Sequence, residues 1–313
     1  MPVKILMVRF VNAKINLGLN IVGKREDGYH LLETAFLPVG KYAGSALNPV
    51  AFCDILEVGK RWKEMPVEAT LERGGVRYFL TGRNPGCGAE ENLVVRGAER
   101  ILAALGKEFI ERSGGVDIMF YKVLPDGAGM GGGSADATFV MKMLNDMARD
   151  LGMNGLGEEE LERIALTIGA DCPFFVRNEA AYAEGIGEKL SPLPWLEEKL
   201  RGKWLAVVKP DLHISTKEAF AGVTPRRPSS SLIENLKRPI AEWRGVIHND
   251  FEDSLFPVHP ELAELKEALY KEGAEYASLT GSGAALYGIF PEREMAEAAA
   301  MGSGALYQLV IKN

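Results

Sequence analysis

The sequence predicts an α+β fold, and two observations carry this expectation. Strand-like and helix-like segments are interspersed up to about Trp204, and beyond it the order of short strands and helices is typical of a small α+β sandwich. A chain of 313 residues suits one large domain or two smaller ones. We therefore expect a second domain after the change in pattern.

Before Trp204 the residue spacing predicts two strands and three helices. Alternating apolar residues predict strands from about Phe10 to Ile21 and from Val116 to Tyr121. Helical spacing predicts a helix that Gly152 stops, a helix from Glu158 to Gly169, and an earlier helix from its cap Asn92 to Gly106.

After Trp204 the predicted elements are shorter. In chain order we expect a strand through Ala206 and Val208, a helix capped by Ser215-x-x-Glu218, a helix from Pro260 to Gly273, two short strands flanking Thr280–Gly283, a helix near Glu294 and a strand from Leu306 to Ile311.

Composition excludes several classes of protein. The net charge of −7 argues against binding nucleic acid by bulk electrostatics. Three scattered cysteines, Cys53, Cys87 and Cys172, form no metal-binding pair and indicate a reducing compartment. We find no signal peptide and no apolar run that could span a bilayer, so we expect a cytoplasmic enzyme without a membrane partner.

The most informative segment runs from Pro125 to Ala137 and places five glycines in the seven positions from Gly127 to Gly133. Glycine lets the backbone lie close to a ligand, and the free N–H groups at the start of a helix attract phosphate. The segment lacks the Gly-Lys-Ser/Thr of a P-loop and the acidic partner of a dinucleotide site. It therefore predicts a phosphate cradle, with a glycine-rich surface turn as the alternative.

Polar residues on the first strand suggest a second part of the site. Asn12, Lys14 and Asn16 share one face, which is either exposed to solvent or part of a site. Asparagine is a poor strand former, so two of them around a lysine favour a site. A turn from Gly23 to Gly28 then leads to Tyr29-His30.

Three segments, in this order and spacing, resemble the GHMP kinase superfamily. They are Asn12–Leu17, Pro125–Ala137 and Leu279–Ala284. Further segments resemble the branch of this superfamily that phosphorylates an alcohol carried on cytidine diphosphate: Asp27–His30, Gly169–Phe175 and Ala183–Glu188. The resemblance covers nearly the whole chain, although the stretch from Leu37 to Phe52 is longer than is usual.

The resemblance implies a fold and a reaction. The implied fold has a ribosomal protein S5 domain 2-like N-terminal domain, residues 1–187, that binds ATP, and a ferredoxin-like C-terminal domain, residues 188–313. The implied reaction transfers the ATP γ-phosphoryl group, with Mg²⁺, to a tertiary hydroxyl of an erythritol unit in isoprenoid precursor biosynthesis. The implied partner is the small-molecule cytidine diphosphate substrate, and the protein would be a monomer or a homodimer.

The resemblance also assigns roles to residues. Asp171 would be the base or the orienting acceptor for the attacking hydroxyl, and Lys14 its electrostatic partner. The expected contacts of ATP are Asn92, Pro125, Gly127, Gly129, Gly131, Gly132, Gly133 and Ser134, and Ser134 is the candidate for the metal end of the phosphates. The expected contacts of the second substrate are Asn16, Tyr29, His30, Thr216, Phe220, Gly281 and Gly283.

Three other functions stay open at this point. A mevalonate, homoserine or sugar kinase would have no base for Tyr29 and His30 to bind. A ligand-binding relative without activity is disfavoured because Lys14, Ser134 and Asp171 are all present. A nicotinamide-dependent dehydrogenase is disfavoured because the glycine loop lies far from the N-terminus.

Overall fold

The computed structural model describes residues 6–40, 53–65, 67–305 and 307–312. The chain folds into two compact units. The first takes its described residues from Met1–Asn12, Gly44–Asp126 and Gly132–Asn178, and the second from Ala13–Ala43, Gly127–Gly131 and Glu179–Asn313. These units interleave along the chain, and a domain boundary after residue 187 stays a prediction.

The described residues form thirteen strands. They are β1 (Leu6–Val11), β2 (Ala13–Lys24), β3 (His30–Val39), β4 (Asp54–Lys60), β5 (Leu71–Arg73), β6 (Val76–Gly82), β7 (Val116–Lys122), β8 (Ala181–Glu184), β9 (Lys189–Pro192), β10 (Trp204–Lys209), β11 (Tyr276–Leu279), β12 (Leu286–Phe290) and β13 (Tyr307–Lys312).

The same residues form eleven α-helices. They are α1 (Leu93–Leu105), α2 (Lys107–Ser113), α3 (Gly132–Asp150), α4 (Glu158–Leu166), α5 (Phe174–Arg177), α6 (Pro194–Leu200), α7 (Thr216–Ala221), α8 (Leu232–Lys237), α9 (Asp250–Leu255), α10 (Pro260–Lys271) and α11 (Arg293–Gly302). None of the described helices has the length and apolar composition needed to cross a bilayer.

The first unit is a five-stranded sheet packed against helices. The strand order is β1-β4-β7-β6-β5, and β6 and β7 run parallel while the other pairs are antiparallel. The helix α1 begins at its cap Asn92, whose side chain accepts a hydrogen bond from Val94 N. Apolar residues of α1 and α3, such as Ile101 and Leu144, are fully buried in the core.

The second unit contains two four-stranded sheets. Their orders are β2-β3-β8-β9 and β11-β12-β10-β13, and every strand pair is antiparallel. Leu19 and Ile21 of β2 share one hydrophobic core with Val208, Phe251 and Leu286. This core places β2 and the segment that follows β11 within the same packed unit.

The predicted strand from Phe10 to Ile21 is wrong in one respect, because it is two strands that belong to different sheets. β1 pairs with β4, whereas β2 pairs with β3. The break falls at Asn12, whose buried side-chain amide exchanges two hydrogen bonds with that of Asn178 at 3.1 and 2.8 Å. A side chain held in this way by a distant residue cannot be read from local alternation.

Most other predicted elements are confirmed. The helix from Glu158 ends at Leu166, one turn before Gly169. The Ser215 side chain caps α7 by accepting a hydrogen bond from Glu218 N, as the capping box predicts. The last strand begins at Tyr307, and Leu306 lies outside the described residues, as do positions 41–52 of the long stretch from Leu37 to Phe52.

Candidate active site

Lys14 lies on β2 with its side chain almost fully buried, at 3% exposure. Its Nζ donates hydrogen bonds to Asn16 Oδ1 at 2.7 Å and to the Gly129 carbonyl oxygen at 3.0 Å, and it lies 4.9 Å from the centre of the Phe36 ring. A buried ammonium is costly unless it is bonded. Asn12 and Asn16 are buried as well, so the solvent-exposed interpretation of this face is wrong.

Asn16 holds Lys14 in place through its own hydrogen bonds. Its backbone N–H donates to Thr280 Oγ1 at 3.1 Å, and its side-chain amide donates to Thr34 Oγ1 at 2.9 Å. Its carbonyl oxygen accepts from the Tyr287 hydroxyl at 2.8 Å. Asn16 therefore positions the Lys14 side chain, and a direct contact of Asn16 with substrate stays a prediction.

The first half of the glycine loop, residues 127–131, is tied to β2 and to the segment after β11. Three of its carbonyl oxygens accept hydrogen bonds from backbone N–H groups: Gly127 from Ala284 at 3.0 Å, Ala128 from Ala285 at 3.3 Å and Met130 from Lys14 at 2.9 Å. These bonds fix the loop by its backbone, which is what a cradle made of backbone N–H groups requires.

Gly129 and Gly281 approach each other too closely for side chains. Both have positive φ, +71° and +54°. A Cβ on Gly281 would lie 2.7 Å from the Gly129 carbonyl oxygen, and a Cβ on Gly129 would overlap the carbonyl oxygen of Thr280. This contact brings two of the segments that carry the family resemblance side by side.

The second half of the glycine loop begins α3 in the first unit. Because α3 starts at Gly132, the N–H groups of its first turn have no partner within the helix. A Cβ on Gly133 would lie 3.1 Å from Leu93 Cδ1, so the starts of α1 and α3 are neighbours. The predicted ATP contacts Asn92 and Ser134 therefore lie at the same end of two adjacent helices, although the Asn92 side chain also caps α1.

Asp171 lies in the turn between α4 and α5, half-buried in the first unit. Thr138 Oγ1 links this turn to α3, because it makes 2.9 Å hydrogen bonds to the carbonyl oxygens of Cys172 and Ser134. A Cβ on Gly169 would lie 3.8 Å from Ser134 Oγ. The structure thus brings the turn that carries Asp171 next to Ser134.

The Cys172 thiol beside this turn is not an activated nucleophile. Burial is the main cause that raises the pKa of Cys172 to about 11, and the charge of Asp171 raises it further. The sulfur is therefore a neutral thiol at pH 7, which agrees with the structural role expected for the cysteines.

Tyr29, His30 and Phe220 lie together in the second unit. Tyr29 is in the turn between β2 and β3 and is 60% exposed. The His30 ring stacks on Phe220 with centroids 4.5 Å apart and planes 13° from parallel, and Phe220 packs edge-on against Phe251 at 4.8 Å. Burial, with a smaller contribution from the charge of Lys24, lowers the pKa of His30, so its imidazole is neutral at pH 7.

The other predicted contacts of the second substrate are spread over this unit. Thr216 is exposed at the first position of α7, one residue after the cap Ser215. Gly283 has a φ of +89° and follows Gly281 in the segment between β11 and β12. The predicted site residues are thus distributed over both units.

Sequence reasoning missed one residue that holds the Gly281 segment. The fully buried Asn249 side chain donates hydrogen bonds to the carbonyl oxygens of Leu279 at 2.9 Å and Gly281 at 3.0 Å, and accepts one from Phe251 N at 3.1 Å. The sequence signals only a helix cap at this position, before the acidic start of α9.

Comparison with known proteins shows the family. The profile of the GHMP kinases N terminal domain matches residues 92–179, and that of the GHMP kinases C terminal matches residues 232–304. A relative named 4-diphosphocytidyl-2-C-methyl-D-erythritol kinase, from Bacteroides thetaiotaomicron, is 44% identical over 93% of this chain and 95% of its own. This chain belongs to the GHMP kinase family.

Other comparisons agree with this membership. A relative of the same name from Porphyromonas gingivalis is 40% identical to this chain, over 97% of this chain and 100% of its own. The crystal structure of a 4-(cytidine 5'-diphospho)-2C-methyl-D-erythritol kinase has a TM-score of 0.68 at 29% identity, covering 97% of both chains. The predicted two-domain α+β fold of the GHMP kinases is confirmed.

A more distant structure shows the same fold alone. The homoserine kinase from Cytophaga hutchinsonii has a TM-score of 0.63 at 16% identity, and the match covers 99% of this chain and 94% of the homoserine kinase. Proteins named for different substrates therefore share this fold, and the substrate of this chain has to be argued from its site.

Proposed function

We propose that this chain is a 4-diphosphocytidyl-2-C-methyl-D-erythritol kinase, which transfers the γ-phosphoryl group of ATP to the 2-hydroxyl of that substrate in isoprenoid precursor biosynthesis. The observation that carries the proposal is the 44% identity to a relative of this name over 93% of the chain. The buried Lys14 beside the fixed glycine loop supports phosphoryl transfer, which depends on positioning and electrostatics.

ATP is bound by the glycine loop in this proposal. Its phosphates accept hydrogen bonds from N–H groups of residues 127–134, where the partial positive charge of the α3 N-terminus attracts anions. The close packing of the loop backbone on the segment after β11 supports this role. Asn92 and Pro125 border the nucleotide at the start of α1 and before the loop.

The residues at the start of α3 fit a magnesium ion held mainly by ATP. Mg²⁺ in nucleotide sites keeps several waters and takes substrate phosphates with few protein oxygens. The half-buried Ser134 offers one hydroxyl there, beside the turn that carries Asp171. When bound, the ion neutralises charge on the transferring phosphoryl group.

Asp171 and Lys14 serve the attacking hydroxyl. The substrate oxygen attacks the γ-phosphorus, the bond from that phosphorus to ADP breaks, and the hydroxyl proton goes to the Asp171 carboxylate. The Lys14 ammonium stabilises the carboxylate and the charge on the phosphoryl oxygens. The hydrogen bonds that fix Lys14 support its role, because a positioned charge costs no reorganisation during reaction.

The cytidine base is bound by Tyr29, His30 and Phe220. Tyr29 stacks on one face of the base and Phe220 on the other, and the His30 ring moves off Phe220 to bond the polar edge of the base. The neutral imidazole suits this contact because it offers one donor and one acceptor. Asn16 and Thr216 meet the phosphate or sugar, and Gly281 and Gly283 line the wall that faces both substrates.

A valine at Gly131 is expected to weaken ATP binding in a folded protein. Gly131 has a φ of +67°, where a β-branched side chain is strained, and the added bulk would occupy the phosphate cradle. ATP affinity measured by calorimetry, with the melting temperature as the check on folding, tests this. Unchanged ATP affinity in folded Gly131→Val would place the phosphates elsewhere.

Tyr29→Ala is expected to raise KM for the cytidine substrate about five- to a hundredfold, since stacking on an aromatic ring is worth roughly 1–3 kcal/mol per base. ATP affinity should change little, and Tyr29→Phe, which keeps the ring, should behave like the wild type. His30→Ala should weaken the same substrate, and the two changes together should be less than additive because they serve one base.

Competition with cytidine monophosphate separates this site from others. We expect cytidine monophosphate to compete with the substrate in the wild type and in Tyr29→Phe, but poorly in Tyr29→Ala. If it never competes with the wild type, the substrate is not a cytidine compound.

A substrate panel tests the function itself. ADP release should be fast with 4-diphosphocytidyl-2-C-methyl-D-erythritol and near background with mevalonate, homoserine and galactose. Faster release with one of those three would assign another GHMP kinase activity, and release with none of the four would favour a ligand-binding relative without activity.

A further inference from the structure

Three charged side chains are buried together beneath the start of α3. Lys122 is the last residue of β7, Asp54 is the first of β4, and Asp136 is in the first turns of α3. Lys122 Nζ donates to Asp54 Oδ2 at 2.7 Å and to Asp136 Oδ2 at 2.9 Å. Each of the three side chains is at most 3% exposed.

The cluster joins the strand before the glycine loop to the helix after it. Asp54 Oδ1 accepts hydrogen bonds from Val123 N at 2.6 Å and Leu124 N at 2.8 Å, so it fixes the backbone as the chain leaves β7. Lys122 then reaches from this point to Asp136. The two ends of the loop are thereby held by one set of bonds within the first unit.

The cluster also lies directly against the first residue of α3. A Cβ on Gly132 would lie 3.4 Å from Lys122 Nζ. The ammonium is therefore a neighbour of the N–H groups that begin the helix, and a shift of Lys122 would change the position of these groups.

Stability alone does not account for these charges. Moving such groups out of water is costly: burial raises the pKa of the Asp136 carboxyl well above its ordinary value, although the charge of Lys122 opposes this. Replacing a buried ion pair by apolar residues of similar volume is often neutral or stabilising. Asp136 Oδ1 is in addition buried without a hydrogen-bond partner among the described residues. A costly cluster that joins the end of β7 to α3 favours a role in fixing geometry.

We propose that Asp136 is a positioning residue for phosphoryl transfer: through Lys122 it fixes the first turn of α3, so that the N–H groups of Gly133 and Ser134 meet the phosphates of ATP. The inference rests on the proposed function in one respect, namely that this loop binds ATP.

The first test compares two alanine variants that each lose a buried carboxylate. We expect Asp136→Ala to weaken the binding of ADP and ATP about 10- to 100-fold, because misplaced N–H groups lose hydrogen bonds to the charged phosphates. The control is Asp117→Ala, near the opposite end of β7, which removes the buried partner of the half-buried Arg77 in a second ion pair. It should lower the melting temperature with nucleotide affinity unchanged.

Conservative and apolar replacements separate positioning from stability. Asp136→Asn keeps an oxygen that can accept from Lys122, and should keep most of the nucleotide affinity. The triple variant Asp54→Asn, Lys122→Met and Asp136→Leu removes the buried charges and should fold with a melting temperature near that of the wild type. We expect its nucleotide affinity to remain at least tenfold reduced.

Calorimetric titration with ADP and ATP needs no second substrate, so it separates this inference from the proposed function. A wild-type protein that fails to bind ATP would rule out the proposed function. If ATP binds but the phosphoryl acceptor is a different substrate, this inference is unaffected. Equal losses of affinity in Asp136→Ala and Asp117→Ala, or full affinity in the triple variant, would overturn the positioning role.

Discussion

Asp171→Asn is expected to lower kcat by about 10²–10⁴-fold, the usual cost of losing general base catalysis. Asparagine keeps the shape of the side chain but cannot accept the proton of the attacking hydroxyl. The turn that carries Asp171 is tied to α3 through Thr138, so the substitution should leave the start of α3 unchanged. We therefore expect ATP binding, measured by calorimetry, to be close to that of the wild type.

Asp150→Asn is the matched control for this variant. Asp150 is an exposed aspartate at the end of α3 in the same unit, and we assign it no role in the reaction. Its kcat should equal that of the wild type. A near-normal kcat for Asp171→Asn would remove Asp171 from the mechanism, and a loss of ATP binding would make it part of the nucleotide site.

Lys14→Met is expected to lower kcat by a similar factor, because it removes the buried charge that we propose stabilises the carboxylate and the phosphoryl oxygens. Methionine retains most of the apolar volume of the lysine side chain. Loss of the ammonium group also leaves Asn16 Oδ1 and the Gly129 carbonyl oxygen without the hydrogen bonds that Lys14 donates. Some decrease in melting temperature should follow.

Two measurements show whether Lys14 acts in the chemical step. Steady-state kinetics should give a fall in kcat, since a change confined to KM would make Lys14 a binding residue. Lys189→Met is the control, because Lys189 is an exposed lysine on β9 of the same sheet. This variant should match the wild type in both constants.

Local patterns predicted much of the fold. The alternation from Val116 to Tyr121 and the cap at Asn92 gave β7 and α1 almost to the residue, because each depends on neighbours in sequence. The break between β1 and β2 could not be predicted in this way. Asn12 at this break is hydrogen-bonded to Asn178, which lies 166 positions further along the chain.

The candidate site likewise contains residues that local motifs predicted and residues that they did not. The motifs led to Lys14, the glycine loop and the Gly281 segment, and the burial of Lys14 agrees with that expectation. The residues that hold these parts, such as Asn249 and Asp136, were not predicted. Their partners are remote in sequence, and a single sequence contains no signal that links Asn249 to Gly281 or Asp54 to Lys122.

The stacking of His30 on Phe220 adds a requirement to the proposed base site that the motifs did not suggest. Tyr29, His30 and Phe220 were expected to surround a base, yet the His30 ring covers one face of Phe220. Two aromatic rings that stack in this way exclude water from their contact faces. In the proposed base site, the His30 ring therefore has to leave Phe220 when substrate binds, so that the base can stack on Phe220 in its place.

Phosphorus NMR of the reaction product tests the central claim most directly. After incubation with ATP and 4-diphosphocytidyl-2-C-methyl-D-erythritol, we expect ADP and one new phosphate monoester whose resonance shows no coupling to a proton on the esterified carbon, because a tertiary carbon bears none. A monoester split by such protons would mean that another hydroxyl is phosphorylated. ADP and inorganic phosphate without a new phosphate monoester, or unchanged ATP, would contradict the assignment of this chain as the kinase.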